Sequence, residues 1–169
     1  KGQQVWGDNM AVRKSVLIEV GGFNPDIYGY GNKKYLYYMG DGECGLEVKI
    51  YKKGYKIFYE PGAWAYHRVP ASRTTKDYFY KRTFVSAIGS SYAQVRKMQR
   101  TPWLPFRLFL QSLFYFLKSS WLFLKSFVVR HNRITIRTFA YKYYAKAHHQ
   151  LRASLANELR NHIFQESYL

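Results

Sequence analysis

Two carboxylates, Asp41 and Glu43, stand in the glycine-rich run Gly40-Asp41-Gly42-Glu43-Cys44-Gly45, and a histidine, His67, follows beyond a strand-like stretch. Glycines let a backbone bend sharply and approach a ligand closely. Carboxylates in such a loop suit a general base or a metal site better than a core, since a buried unpaired charge is costly. The order loop acid, helix, strand, histidine therefore points towards enzymatic chemistry. A second reading stands beside it: an acid in the first turn of a helix is favoured by the helix dipole, which makes Glu43 equally a capping acid.

The elements that must hold these residues follow from periodicity and turn chemistry. A helix is predicted from about Cys44 to Lys53, with Leu46 and Ile50 on its apolar side, Tyr51 near them, and Lys49, Lys52 and Lys53 facing water. Gly54 ends it. Tyr55–Tyr59 alternates as a strand, Glu60-Pro61-Gly62 turns, and Ala63–His67 reads as a further short strand. Upstream, Asn9–Arg13 is strand-like, Ser15 is placed to cap a helix through Val16–Val20, and Gly21-Gly22 closes that helix in the left-handed conformation. Phe23-Asn-Pro-Asp26 is a turn. The loop from Ile27 to Met39 carries Tyr28, Tyr30, Tyr35, Tyr37 and Tyr38, which serve either as stacking platforms for a glycan or as ordinary packing.

Charge divides the chain near Asp77. The 169 residues carry a formal net charge of +17 and are 20% aromatic, a combination that calls for an anionic partner. Residues 78–157 contain no Asp or Glu but fourteen Lys or Arg, whereas both signs mix in 1–77. The first part is expected to be an α/β unit, the second a basic, apolar, helical extension. Cys44 is the only cysteine, so no internal disulfide forms, and no amino-terminal signal peptide is visible. The first residue is not Met, and a fragment of a longer chain is expected.

Several motifs occur in order: Gly7–Lys14, Val20-Gly-Gly-Phe23, Gly40-Asp-Gly-Glu43, Tyr51–Pro61 and Tyr66-His67. Over residues 5–70 this pattern resembles the carboxy-terminal half of a family 2 glycosyltransferase with the GT-A fold. The resemblance implies an α/β, Rossmann-like acceptor-side half-domain (1–77) followed by an all-α extension (78–169). It implies inverting transfer of a sugar from a nucleotide-sugar donor to an acceptor hydroxyl on a glycan or a lipid-linked acceptor, with a divalent metal, Mn or Mg. The catalytic base is carried over to Glu43 when the helix is aligned back from Gly54. When the acids are matched by wording instead, Cys44 replaces the family's Asp and Asp41 becomes the rival base. His67 takes the metal-side position, Arg68 and Arg73 could brace the donor diphosphate, and Asn9 and Tyr30 fall on the acceptor side. The chain holds no Asp-x-Asp and no phosphate-cradling glycine motif, so the piece alone is expected to be inactive.

The extension has its own pattern. Between Trp103 and Val129, apolar residues dominate, while Arg107, Gln111, Lys118 and Lys125 recur at helical spacing with Ser112, Ser119 and Ser126 in sevens. One narrow polar stripe on an otherwise apolar helix fits a helix lying in the headgroup region of an anionic membrane, with its lysines reaching out to lipid phosphates. The alternative is an amphipathic helix packed on its own protein. A helix is predicted from Thr75 to Phe84, broken from the apolar segment at Thr101-Pro102, and another spans Ile134–Ile163. His148 and His149 fall on different helix faces and make no metal pair. Localisation is expected at the cytoplasmic face of a membrane. Nucleic-acid binding is disfavoured, because the cations are diluted in apolar runs and no recognition motif is present. A non-catalytic membrane scaffold remains the rival function.

Overall fold

The structure is a computed structural model, and it describes residues 9–25, 39–129 and 131–169. Six α-helices follow one another among them: α1 (Lys14–Glu19), α2 (Gly42–Lys52), α3 (Lys76–Arg96), α4 (Leu104–Val128), α5 (Arg133–Leu155) and α6 (Asn157–Phe164). A 3-10 turn, Ala71–Thr74, precedes α3. Among the described residues there is no strand and no sheet, which overturns the expected α/β, Rossmann-like half-domain. The three segments expected as strands, Asn9–Arg13, Tyr55–Tyr59 and Ala63–His67, are irregular. The physical reason is pairing: a strand's backbone groups need a neighbour, and alternation alone supplies none. The 58–70 stretch runs exposed, with Phe58 82% and Tyr66 91% accessible.

The helices themselves largely follow the sequence. α1 starts at Lys14 with Arg13 at its N-cap, so Ser15 lies inside the helix and caps nothing. Gly21 and Gly22 close it with φ of 73° and 72°. α2 buries Leu46 and Ile50 against Val16 and Val20 of the α1 segment, with Met10, Val12, Leu17 and Ile57 around them. Tyr55 Oη donates to Glu19 at 2.6 Å and holds that carboxyl below its ordinary range, while Lys53 lies 3.5 Å from the same group. Thr75 caps α3 by accepting from Tyr78 N, as a Ser/Thr N-cap should. The single long helix expected over 134–163 is two helices, broken at Ala156, whose backbone is extended.

The carboxy-terminal helices form a bundle. α4 and α5 lie antiparallel, with Ser112 beside Ala147 and Ser119 beside Ala140. α3 packs on α5, and α6 folds back so that Leu159 and Ile163 join Tyr92, Val95, Leu104, Leu108 and Ala153 in one core. A second apolar cluster, Met39 with Val85, Ala87, Ile88 and Ala145, joins the segment before α2 to α3 and α5.

Candidate functional site

The acidic loop is built from the outside in. Asp41 occupies the N-cap position of α2, yet its carboxylate caps nothing; it accepts instead from Asn24 Nδ2 at 2.6 Å. Asn24 is 2% exposed, and its Oδ1 is buried without a hydrogen-bond partner. Gly42 N donates to Pro25 O at 3.2 Å, so the Asn24-Pro25 turn grips both the side chain and the backbone of the loop. Gly45 faces this grip, and a Cβ there would collide with the Asn24 amide and the Asp41 carboxylate. Glu43 follows in the first turn of α2, half-exposed at the positive end of the helix. Glu47, one turn on, is buried.

The loop also leans on the bundle. A Cβ at Gly89 of α3 would sit 2.7 Å from Gly40 O, so only glycine admits so close a backbone approach. On the other side the carboxy-terminal tail crosses the end of α1, with Tyr168 N donating to Gly21 O at 3.0 Å. Tyr168 Oη donates to His162 O at 2.6 Å and meets Tyr92 Oη at 2.5 Å. Arg96 Nη1 reaches the carbonyls of Ile163 and Gln165, each at 2.6 Å. Lys49, expected to face water, instead donates through Nζ to Gly22 O at 2.5 Å and lies over the Tyr168 ring. Burial lowers the Lys49 ammonium's pKa, as does the nearby Arg96 charge, and Asp41 partly offsets both. Burial raises the phenols of Tyr92 and Tyr168, and the Asp41 charge acts in the same direction on each.

The remaining sequence-derived site residues are elsewhere. His67, Arg68 and Arg73 lie in the exposed stretch and turn between Tyr55 and Thr74. Asn9 donates through Nδ2 to Ala63 O at 2.6 Å and braces that stretch. Tyr30 lies outside the described residues. Among the described residues no group of three or more His, Cys, Asp or Glu side chains could hold a metal ion.

Sequence reasoning missed Asn24, Arg96, Tyr92 and Tyr168. Asn24 was visible only as turn chemistry, and the other three act through contacts spanning 67 or more residues of chain, for which no local signal exists.

A second candidate surface is α4. Its buried residues are Leu104, Leu108, Ser112, Ser119 and Ser126. Ser112 Oγ donates to Ala147 O at 2.9 Å and Ser119 Oγ to Ala140 O at 2.8 Å, both one heptad apart on each helix. The seven-residue serine stripe, expected to face headgroups, faces α5. Small residues bring the two backbones together; the Ser112 and Ser119 hydroxyls find carbonyls across the interface, as in helix pairs packed in lipid, while Ser126 Oγ donates to Phe123 O of its own helix. The outward face is apolar: Trp121 is 58%, Leu117 60% and Leu124 66% exposed. Lys118 Nζ lies 4.4 Å from the Tyr143 ring centroid and Lys125 Nζ 5.0 Å from that of Trp121. Among the described residues no helix is long and apolar enough to cross a membrane.

Comparison with known proteins adds no relative. No family model, curated protein or solved structure matches the chain.

Proposed function

We propose that this chain is part of a protein that transfers a sugar from a nucleotide-sugar donor to an acceptor hydroxyl at an anionic membrane surface, on a helical frame and not on the α/β half-domain expected from its motifs. The motif order from Gly7 to His67 supports sugar transfer, and the exposed apolar face of α4 supports the membrane. One observation carries the combination: the acidic loop is packed through Gly40 onto Gly89 of α3, the helix that packs on the α4–α5 hairpin. A carboxylate held by the same body as a lipid-facing helix is suited to an acceptor presented at a membrane.

The roles follow from the environment. Asp41 is engaged by Asn24, and a Cβ at Gly45 would collide with both, which makes it an organiser of the loop. Glu43 is half-exposed at the helix head and takes the role of base. In the transfer, the acceptor oxygen bonds to the anomeric carbon as the bond to the leaving diphosphate breaks, and the acceptor's proton passes to Glu43. The native protein carrying Glu43→Gln, assayed for nucleotide release from nucleotide sugars with acceptor-bearing membranes, is expected to lose about 10²–10⁴-fold in turnover with donor binding intact. Retained turnover would exclude Glu43 as base. The scaffold reading is favoured by Asp41's engagement with Asn24, and it predicts no turnover by the unmutated protein while vesicle binding persists.

A further inference from the structure

The hairpin that presents the apolar face also contains a trough of about 410 Å³, lined by Phe116, Ser120, Phe123 and Leu124 of α4 and by Tyr141 and Tyr144 of α5. It exists because the small side chains at 119 and 120 leave a gap between Phe116 and Phe123. Its α5 wall is backed by α3, with the Tyr80 ring centroid 5.1 Å from that of Tyr141 and Phe84 6.2 Å from Tyr144. An apolar trough of this size, held open by aromatic walls, is suited to a hydrocarbon chain and poorly suited to water.

Its charge surroundings select among amphiphiles. The Arg137 guanidinium lies 6.0 Å from the ring centroid of Phe123, a wall of the trough, and 5.4 Å from that of Phe127. Arg133 stacks on Phe127 at 5.7 Å. Arg137 is placed by its Nε, which donates to Ser126 Oγ at 3.3 Å. A guanidinium so oriented is matched to a phosphate, which it can grip through two parallel hydrogen bonds. The hairpin itself carries no Asp or Glu, and none occurs between residues 78 and 157. The same excess of positive charge opposes a second copy of the chain on this face.

We propose that the α4–α5 trough binds one hydrocarbon chain of an anionic lipid, with the lipid phosphate on Arg137. The inference rests on the membrane-surface reading, and gives that surface a stoichiometric lipid site in addition to general adsorption. The lipid is drawn from the bilayer, its chain entering from the face that α4 already turns to the membrane.

The test uses the purified chain and a pyrene-labelled lysophosphatidic acid below its micellar concentration, without vesicles. A monoacylglycerol probe with the same labelled chain and no phosphate serves as comparison, and circular dichroism melts verify that each variant folds. The expected result is saturable one-to-one binding that Ser120→Trp, which fills the trough, weakens at least tenfold. Arg137→Gln is expected to weaken the lysophosphatidic acid probe about tenfold and the monoacylglycerol probe little. Flotation with phosphatidylglycerol vesicles reports separately on the membrane reading and is expected to survive Ser120→Trp. Non-saturable binding, or equal affinity of Ser120→Trp and wild type, would overturn the lipid site while leaving flotation intact. Equal losses of both probes in Arg137→Gln would overturn the phosphate assignment. A dimer dissolved by Ser120→Trp would assign the trough to a second copy and overturn the proposal. Failure of the wild type to float while still binding the probe would overturn the membrane reading and leave the trough standing.

Discussion

The α1–α2 unit and the α4–α5 hairpin are both small helical pairings, and they are built with opposite polarity. In the first, Val16, Val20, Leu46 and Ile50 are inside with Glu47, and the other acids and most lysines are outside or at the margin. In the second, three serines of α4 are inside with Leu104 and Leu108 at its first turns, and most of its other Phe, Leu and Trp side chains are outside. The first is ordinary behaviour in water, where burying apolar area stabilises. The second gains little from water at its interface, because hydroxyl-to-carbonyl bonds and close small-residue contact work wherever the solvent is. Under the membrane-surface proposal, the exposed face of the hairpin would meet lipid while the α1–α2 pairing stays in water.

The largest expected effect breaks the water-type pairing. Leu46 is fully buried in the α1–α2 core, and Leu46→Ala is expected to cost about 3 kcal/mol, since truncating a buried leucine loses transfer energy and leaves a cavity. Urea unfolding monitored by circular dichroism measures it. The same loss is expected with and without vesicles, because this pairing owes nothing to lipid.

A comparable effect, confined to acid, lies behind the hairpin. His149 is fully buried, with Nδ1 3.0 Å from Ser91 Oγ and Nε2 buried without a partner. Burial, with a smaller contribution from His148 next to it, pushes its pKa down to about 4 from an ordinary 6.5. His148 is itself lowered by burial and by Arg152. The unfolded chain binds the proton more tightly than the folded one, so stability is whole above pH 6.5 and declines as pH falls towards 4. The loss amounts to about 3 kcal/mol. His149→Gln is expected to flatten the His149 share of the decline between about pH 7 and 4.5 in urea titrations. An unchanged pH slope would remove His149 as its cause.

Legibility in the sequence tracks the range of the interaction. The boundaries of α2 and the stop at Gly21-Gly22 were readable because their signals are local. Tyr55–Tyr59 shows the limit: its alternation is real, yet strand formation depends on a pairing partner that local pattern does not report. The spacing of Ser112, Ser119 and Ser126 was evident, while its direction was not. A seven-residue polar stripe on an apolar helix fits a headgroup-facing surface and a small-residue helix seam equally well, and only α5, with Ala140 and Ala147 in register, decides. At the acidic loop, the residue types were legible and their support was not. Asn24 and Tyr168 reach Asp41 and its surroundings from opposite ends of the chain.

The smallest effect on stability sharpens the comparison most. Leu113 and Leu117 lie on the exposed face of α4, one turn apart and away from the trough walls, at 47% and 60% accessibility. Changing both to Gln is expected to alter urea stability in water by no more than about 0.5 kcal/mol, as for most surface substitutions. At a lipid boundary the same side chains would each bury apolar surface worth about 1.5–3 kcal/mol when complete. Partial insertion of the pair should still lower the partition of the chain onto phosphatidylglycerol vesicles by tenfold or more. A variant stable in water and absent from vesicles would show that these leucines act on lipid and contribute nothing to folding. If instead the double change destabilised the protein in water, the outward face of α4 would be supporting the fold there, and the hairpin would obey the same rule as α1 and α2.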